Sequence, residues 1–407
     1  MQIIEGGVTA AKGFSAAGIE AEVKYQNRKD MALVVSEAPC KAAGVFTGNV
    51  VKAAPVLWDR DIVQNSPFVQ AVVVNTGIAN AGTGAQGKEN CRKTAEYAGK
   101  VLGLPADSVI VGSTGVIGMQ LPMERIEAGI EKLALAKADT LEAGTDAAKA
   151  IMTTDTIHKQ IAVQLELGGR TVTLGGMCKG SGMIHPNMCT MLGFVTTDVS
   201  ISKEMLQKAV SADVVDSFNM ISVDGDTSTN DTFIVMANGL AENEEITAEG
   251  ADYEAFCEAL HAVTVYLAKK MAGDGEGATA LFECRVTGAA SKADARTLAK
   301  SVICSSLTKA AIFGHDANWG RILCALGYSG VTFDPEKVDI YFESKSGNIQ
   351  ICGGGVACDY SEEEATKILS EPEVTALVNM HMGSEEAVAW GCDLSYDYVK
   401  INADYRS

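Results

Sequence analysis

Residues 161–174, IAVQLELGGRTVTL, constrain the fold more than any other stretch of this chain. Two alternating apolar–polar runs flank Gly168-Gly169. Paired glycines supply the positive φ angles that a two-residue hairpin turn requires, and period-two alternation belongs to strands with one buried face. An antiparallel pair is therefore built in, which argues against an all-parallel, doubly wound sheet. Further short β-branched runs bounded by Gly, Asn or Ser predict strands over 31–37, 68–75, 108–112 and 233–239.

Helical spacing is equally readable. After Leu121-Pro122, the residues Ile126, Ile130, Leu133 and Leu135 fall to one side, and Pro122 suits a first turn. Ser202 suits the N-cap of a helix over 203–214. Over 252–272, Phe256, Leu260, Val263, Leu267 and Met271 recur at helical spacing, with Gly273 placed to cap the end. Beyond lie a strand near 281–287, a helix near 293–311, strands near 338–351, a helix near 361–370 and strands toward the end. Helices and strands mix without strict alternation. This predicts an α+β fold, layered, with mixed and antiparallel sheets. The 407 residues suit two domains, 1–280 and 281–407, divided where the glycine-punctuated 274–279 precedes a fresh strand–helix series.

Composition excludes some functions. A formal charge of −19 repels a nucleic-acid backbone. No apolar stretch reaches membrane-spanning length, and the N-terminus lacks a basic region followed by an apolar run. The 11 cysteines are scattered, with no C-x-x-C pair. That opposes a disulfide framework or a zinc cluster and predicts a reducing cytoplasm with no bound metal.

Three glycine-rich polar segments are candidates for chemistry: GSTGVIG (112–118), KGSGMIHPNMCTML (179–192), and the pair DGDTSTNDT (224–232) and DGEGAT (274–279). None is a P-loop, because Lys179 precedes its glycines instead of following them. Thr229 and Val235 stand where a calcium loop needs Gly and Glu, so 224–232 reads as a side-chain-bonded turn. His185 is near Ser181, but no nucleophile-elbow motif surrounds either. Threonine chemistry remains. A threonine hydroxyl needs an adjacent base, and a free amine on the same residue is one, with an ordinary pKa near ~8. An internal threonine acquires that amine only when the preceding peptide bond is cut. Cys189-Thr190, a small residue before a threonine in a polar loop, fits, although chemistry alone does not raise Thr190 above Ser181 or Thr114.

The segment KGSGMIHPNMCTMLGFVTTD (179–198) resembles the cleavage-site motif of the ornithine acetyltransferase family, also described as bifunctional glutamate N-acetyltransferases of arginine biosynthesis. GVFTGNVVKAAPV (44–56), VIVGSTGVIGMQLP (109–122), AIMTTDT (150–156), VDGDTSTNDT (223–232), DGEGATALFE (274–283), AIFGHDANWGRIL (311–323) and AWGCDLSYDYVKINADYRS (389–407) match further family segments, so the resemblance runs through essentially the whole chain. It implies the layered fold of that family and of self-cleaving aminopeptidases. It also implies autocleavage between Cys189 and Thr190 into chains 1–189 and 190–407, and acetyl transfer from N-acetylornithine to glutamate through acetyl-Thr190. Thr114 and Gly115 become the oxyanion donors. Thr153, Lys179, Thr190, Glu276, Asn402 and Ser407 become substrate contacts. The expected assembly is a cytoplasmic heterotetramer of two copies of each chain without a bound cofactor; whether acetyl-CoA serves as a second donor is left open.

Some positions depart from the family pattern. Cys189 stands where alanine is common, His185 where a small apolar residue is common, and Ile78 and Gly82 alter VNTGIANAGTG (74–84). None falls on a carried-over catalytic position. Two alternatives stay open: a self-cleaving aminopeptidase or amidohydrolase that passes the acyl group to water, and an uncleaved, non-enzymatic binding protein.

Overall fold

A computed structural model of the protein describes residues 1–185 and 191–404. The chain divides into two units. The first comprises Met1–Gly180, Pro186–Phe218 and Thr227–Leu267; the second comprises Ser181–His185, Asn219–Asp226 and Ala268–Ser407. The second unit thus combines one long stretch from Ala268 onward with two short segments from earlier in the chain. Among the described residues, no helix is long and apolar enough to cross a membrane.

The described strands of the first unit are β1 (Gln2–Ile4), β2 (Phe14–Ile19), β3 (Met31–Phe46), β4 (Val69–Asn75), β5 (Val109–Ser113), β6 (Lys159–Leu167), β7 (Arg170–Lys179), β8 (Leu192–Thr197) and β9 (Thr232–Ala237). They form one mixed sheet in the order β1-β6-β7-β8-β9-β3-β4-β5, with β2 also paired to β3. The hairpin read from 161–174 is β6–β7, in register from Lys159↔Cys178 to Leu167↔Arg170. Gly168 and Gly169 turn it at φ +55° and +76°, the left-handed angles such a turn needs. The strand expected over 31–37 continues to Phe46. After a register shift between Val35 and Cys40 it meets β4 once more, at Cys40↔Val69, and Lys41–Phe46 then pair with β9. Bulges of this kind let one strand change partners.

Both faces of the β3–β5 part of the sheet are apolar, which is why those strands read as nearly continuous hydrophobic runs. Ala32, Val34, Val72, Val74 and Ile110 face one core, together with Ala147 and Ala148 of the helix Leu141–Ala150. Leu33, Val35, Val73 and Val111 face the other, under Ala95 and Ala98 of the helix Gly84–Leu102 and Ile126, Ile130 and Leu133 of the helix Met123–Ala136. Leu135 does not join that stripe; it is 89% exposed. The helix Ala251–Gly273 buries all five predicted residues, from Phe256 to Met271. Gly273 is its last helical residue and does not adopt positive φ, so it is not a left-handed cap.

The second unit holds β10 (Leu281–Ala289), β11 (Asp339–Ser344), β12 (Gly347–Gly353), β13 (Val356–Ala357), β14 (Glu373–Asn379) and β15 (Glu385–Cys392), in the order β13-β12-β11-β14-β10-β15. Among these described strands, only the β10–β14 pair is parallel. The helix expected over 293–311 is two helices, Lys292–Cys304 and Ser306–Phe313. Ser305 breaks the run because its hydroxyl accepts from Thr308 N at 3.2 Å and caps the second helix. The strands expected toward the end are β14 and β15, and a helix, Tyr396–Ala403, follows them. The layered α+β fold with mixed and antiparallel sheets is the one the residue pattern predicted.

Candidate functional site

In the first unit, Thr114 and Gly115 leave the end of β5 in a turn whose backbone is tied down on both sides. Thr114 N donates to Asn75 O at 3.1 Å, Val116 N to Gly77 O at 3.1 Å, and Ala79 N to Val116 O at 3.0 Å. Asn230 supports it from below: its side-chain amide donates to Ala79 O at 2.6 Å and to Ser113 O at 2.8 Å. Gly115 sits at φ +129°, and a Cβ there would lie 2.3 Å from the Gly77 carbonyl carbon. Only glycine fits. Among the described residues, the Gly115 N–H and the Thr114 hydroxyl have no hydrogen-bond partner. A fixed turn thus presents two adjacent unused donors, the feature an oxyanion needs.

Thr153 and Lys179, far apart in sequence, are joined through Asp155. One Asp155 oxygen accepts from Thr153 N at 2.9 Å. The other accepts from Gly180 N at 2.7 Å and from the Lys159 ammonium at 2.7 Å. Lys159 and Asp155 side chains are fully buried, and Lys179 is buried beside them. Burial pushes the Asp155 carboxyl up, but the Lys179 and Lys159 ammoniums and these N–H donors outweigh it and hold it at about 2. Arg28 donates to Met152 O at 2.6 Å and fastens the other end of the Thr153 loop.

Asp231, also in the first unit, is buried with Oδ2 unpartnered. Burial pushes its carboxyl well above the usual range, against the opposing pull of the Ser228 and Thr47 hydroxyls, the Lys179 charge and the Met191 N–H. The 224–232 segment is the side-chain-bonded turn its composition predicted. Thr229 Oγ1 donates to Asn230 Oδ1 at 2.6 Å, and Asn230 N donates to Ser228 Oγ at 3.2 Å.

The second unit contributes Glu276 and Asn402. Glu276 is buried; the Asn402 side-chain amide donates to its Oε2 at 2.7 Å. Glu276 N donates to Ser181 O at 3.0 Å, and the Ser181 hydroxyl donates to Asp274 O at 2.7 Å. Gly182 packs so closely that a Cβ would meet the Glu276 carboxylate at 2.4 Å. Asp224 grips the next residues, accepting from Met183 N at 2.6 Å and Ile184 N at 2.9 Å, with the Tyr398 hydroxyl at 3.3 Å. The C-terminal helix is therefore held by polar contacts and by the edge-on Phe313–Tyr396 ring pair. Within that helix Tyr396 and Val399 are exposed.

Ser181 and His185 form no pair. His185 Nδ1 lies 3.1 Å from Ser222 Oγ and 3.5 Å from Cys304 Sγ. Burial and the Lys300 charge lower its pKa to about 4. Cys189, Thr190 and Ser407 lie outside the described residues. Sequence reasoning missed Asp155, Asn230 and Asp224. Asp155 had a signal, since it lies within the AIMTTDT segment; the other two were absorbed into a turn.

Comparison with known proteins places these segments in context. The ArgJ family matches residues 15–407. The arginine biosynthesis bifunctional protein ArgJ of Symbiobacterium thermophilum is 53% identical over 409 residues, covering 100% of both chains. A solved structure of the arginine biosynthesis bifunctional protein argJ from Bacillus halodurans is 51% identical at a TM-score of 0.50, covering 52% of this chain and 97% of that one. An ornithine acetyltransferase from Mycobacterium tuberculosis, solved with ornithine, is 42% identical and covers 46% of this chain and 98% of its own, at a TM-score of 0.43.

Proposed function

The chain belongs to the ArgJ family, and from that premise we propose that it is a self-cleaving acetyltransferase of arginine biosynthesis. It moves an acetyl group from N-acetylornithine to glutamate. The observation that carries this reading is the Thr114–Gly115 turn: two adjacent donors without a partner among the described residues, on a turn held by the Thr114, Val116 and Gly118 N–H groups. A fold that only needed to link β5 to the next helix has no reason to keep such a turn rigid and its donors free.

The chemistry runs in two stages. In the precursor, the Thr190 hydroxyl attacks the Cys189 carbonyl; the peptide C–N bond breaks as an ester forms, and the Thr190 nitrogen takes the proton. Water hydrolyses the ester, leaving a Cys189 carboxylate and a Thr190 with a free amine. That amine then takes the hydroxyl proton as Thr190 attacks the acetyl carbonyl of N-acetylornithine. The developing oxyanion is received by Thr114 and Gly115, ornithine leaves with the proton, and the glutamate α-amine takes the acetyl from the ester. Lys179 recognises a carboxylate and Glu276 an ammonium, with Thr153, Asn402 and Ser407 as further contacts. No bound cofactor enters the scheme; acetyl-CoA is a further candidate donor. The mature protein is a heterotetramer of two copies of each chain, working in the cytoplasm.

A second observation supports processing. The Symbiobacterium relative matches this chain from end to end, whereas the solved Bacillus chain, matched over 97% of itself, spans only 52% of this one. Half-length chains are what cleavage near the middle produces.

The test is the intact mass of the wild type beside Thr190→Ala, followed by an acetyl-transfer assay. Wild-type fragments ending at Cys189 and beginning at Thr190, an uncut variant, and acetylglutamate formed from N-acetylornithine are expected. A folded wild type that stays in one piece removes the base from the mechanism and defeats the proposal. Free acetate in place of acetylglutamate identifies a hydrolase.

A further inference from the structure

Asp155 touches two of the proposed substrate segments and has no assigned role. Its carboxylate is shared among three donors: the Thr153 N–H on one oxygen, and the Gly180 N–H with the Lys159 ammonium on the other. Thr153 lies in an irregular loop after the helix Leu141–Ala150, and Gly180 directly follows Lys179, where β7 ends. Neither N–H group is used by a strand or helix hydrogen bond, so this one carboxylate bridges the two segments directly, while Arg28 holds the Thr153 loop at Met152 O and Thr153 O.

Lys159 bears on the argument because it is expensive to bury. An ammonium with no exposed side-chain surface is tolerated only when paired, and Asp155 is its ion-pair partner at 2.7 Å, with Ile157 O also accepting at 3.3 Å. The pair lies on the β6 side of the loop and pulls the carboxylate against the β7 end. Buried pairs of this kind add little net stability but fix one geometry.

Resting on the acetyl-transfer reading above, we propose that Asp155 is a positioning residue that locks the Thr153 segment to the Lys179–Gly180 segment, so that substrate capture is set by its carboxylate. Asp155 itself touches no reacting atom. Removing the lock therefore weakens substrate binding much more than it slows chemistry.

The test compares wild type, Asp155→Asn and the double variant Asp155→Asn/Lys159→Met, each assayed for acetyl transfer and for amide exchange at Thr153 and Gly180. The double variant also removes the buried ammonium whose ion pair the single one breaks, and carries the measurement if the single variant does not fold. Expected are KM values raised at least about tenfold in both variants, kcat within about threefold, and faster exchange at both amides. Wild-type KM in a folded variant overturns the proposal. So does a KM that recovers together with thermal stability in the double variant, because the role is then purely structural. Rapid wild-type exchange at Thr153 and Gly180 overturns it without any variant. A wild type that transfers no acetyl defeats the functional reading and this role with it, a result distinguishable from the others because it needs no substitution.

Discussion

The side-chain amide of Asn402 donates to Oε2 of Glu276 at 2.7 Å, joining the last helix of the chain to the glycine-rich turn 274–279. The Asn402 amide also donates to Tyr398 O at 3.0 Å, so its orientation is set by its own helix. Glu276 is buried, and a charge-assisted hydrogen bond at such a site contributes about 1.5–3 kcal/mol. Asn402→Ala should lower kcat/KM by about tenfold or more. Steady-state kinetics with N-acetylornithine check it; an unchanged kcat/KM would mean that Glu276 holds its place unaided.

Gly277 governs the same contact from the other side. At φ +69° it lies against the C-terminal helix, and a Cβ would come within 2.7 Å of Tyr398 N. The Ser395 hydroxyl donates to Gly277 O at 2.6 Å and also accepts from Tyr398 N. Gly277→Ala must push the helix away and should reproduce the Asn402→Ala defect. Combining the two substitutions should add little, because both break one contact. Fully additive losses in kcat/KM would separate the effects.

The proposed oxyanion donors predict a different signature. Thr114→Ala removes a hydroxyl without disturbing the backbone bonds of the turn, whereas Gly115→Ala drives a Cβ into the Gly77 carbonyl. Removing one such donor typically lowers kcat by about 10²–10³. Thr114→Ala should do so with little change in KM and a wild-type melting temperature. Gly115→Ala should lose both activity and stability. A Thr114→Ala enzyme with normal kcat would show that only the backbone acts.

How far this could be read from residues alone depended on whether a signal was local. The β6–β7 hairpin and the helix Ala251–Gly273 were legible because Gly168-Gly169 and the Phe256–Met271 spacing each lie within one element. The path of β3 was not, since leaving β4 after Cys40 and joining β9 at Lys41 depends on a partner about 200 residues away. The break at Ser305 was hidden by apolar spacing that continues across it. The family resemblance raised Thr114, Gly115, Lys179 and Glu276 out of the glycine-rich segments and added Thr153 and Asn402 from other segments. Asp155 and Asn230 escaped because their partners, Gly180 and Ser113, are contiguous with them only in three dimensions.

Acid should expose the Asp155 cluster. Its carboxyl is held at about 2 against an ordinary 3.8, so the folded protein binds the proton less readily than the unfolded chain. The contribution is therefore present above about pH 4 and is lost as pH falls toward 2. It amounts to roughly 2 kcal/mol on that shift. Denaturant unfolding of wild type and Asp155→Asn across that window checks it. The wild type should lose stability more steeply, and the difference between the two proteins should shrink as pH falls. Parallel pH profiles would show that Asp155 gains nothing from its ammonium and N–H partners.

Asp59 predicts the opposite slope. It lies fully buried in the helix Ala54–Asn65, where Oδ1 accepts from Val111 N at 2.8 Å and Oδ2 has no partner. Burial raises its carboxyl well above 3.8, and the single N–H bond offsets little of that. As pH rises past 3.8, the unfolded chain releases its proton while the folded protein keeps it, so stability falls with pH until the folded group also ionises. An asparagine accepts from Val111 in the same way and does not titrate. Asp59→Asn should match wild type near pH 4 and be the more stable protein at pH 7–8, with the gap widening as pH rises between them. Because Val111 lies two residues before the end of β5, which leads into Thr114, the substitution should leave acetyl transfer intact if that hydrogen bond is what the strand requires. Equal stability at both pH values would mean that the buried carboxylate finds compensation on ionising, and a loss of activity without a loss of stability would mean that Asp59 supplies more to the turn than one accepted bond.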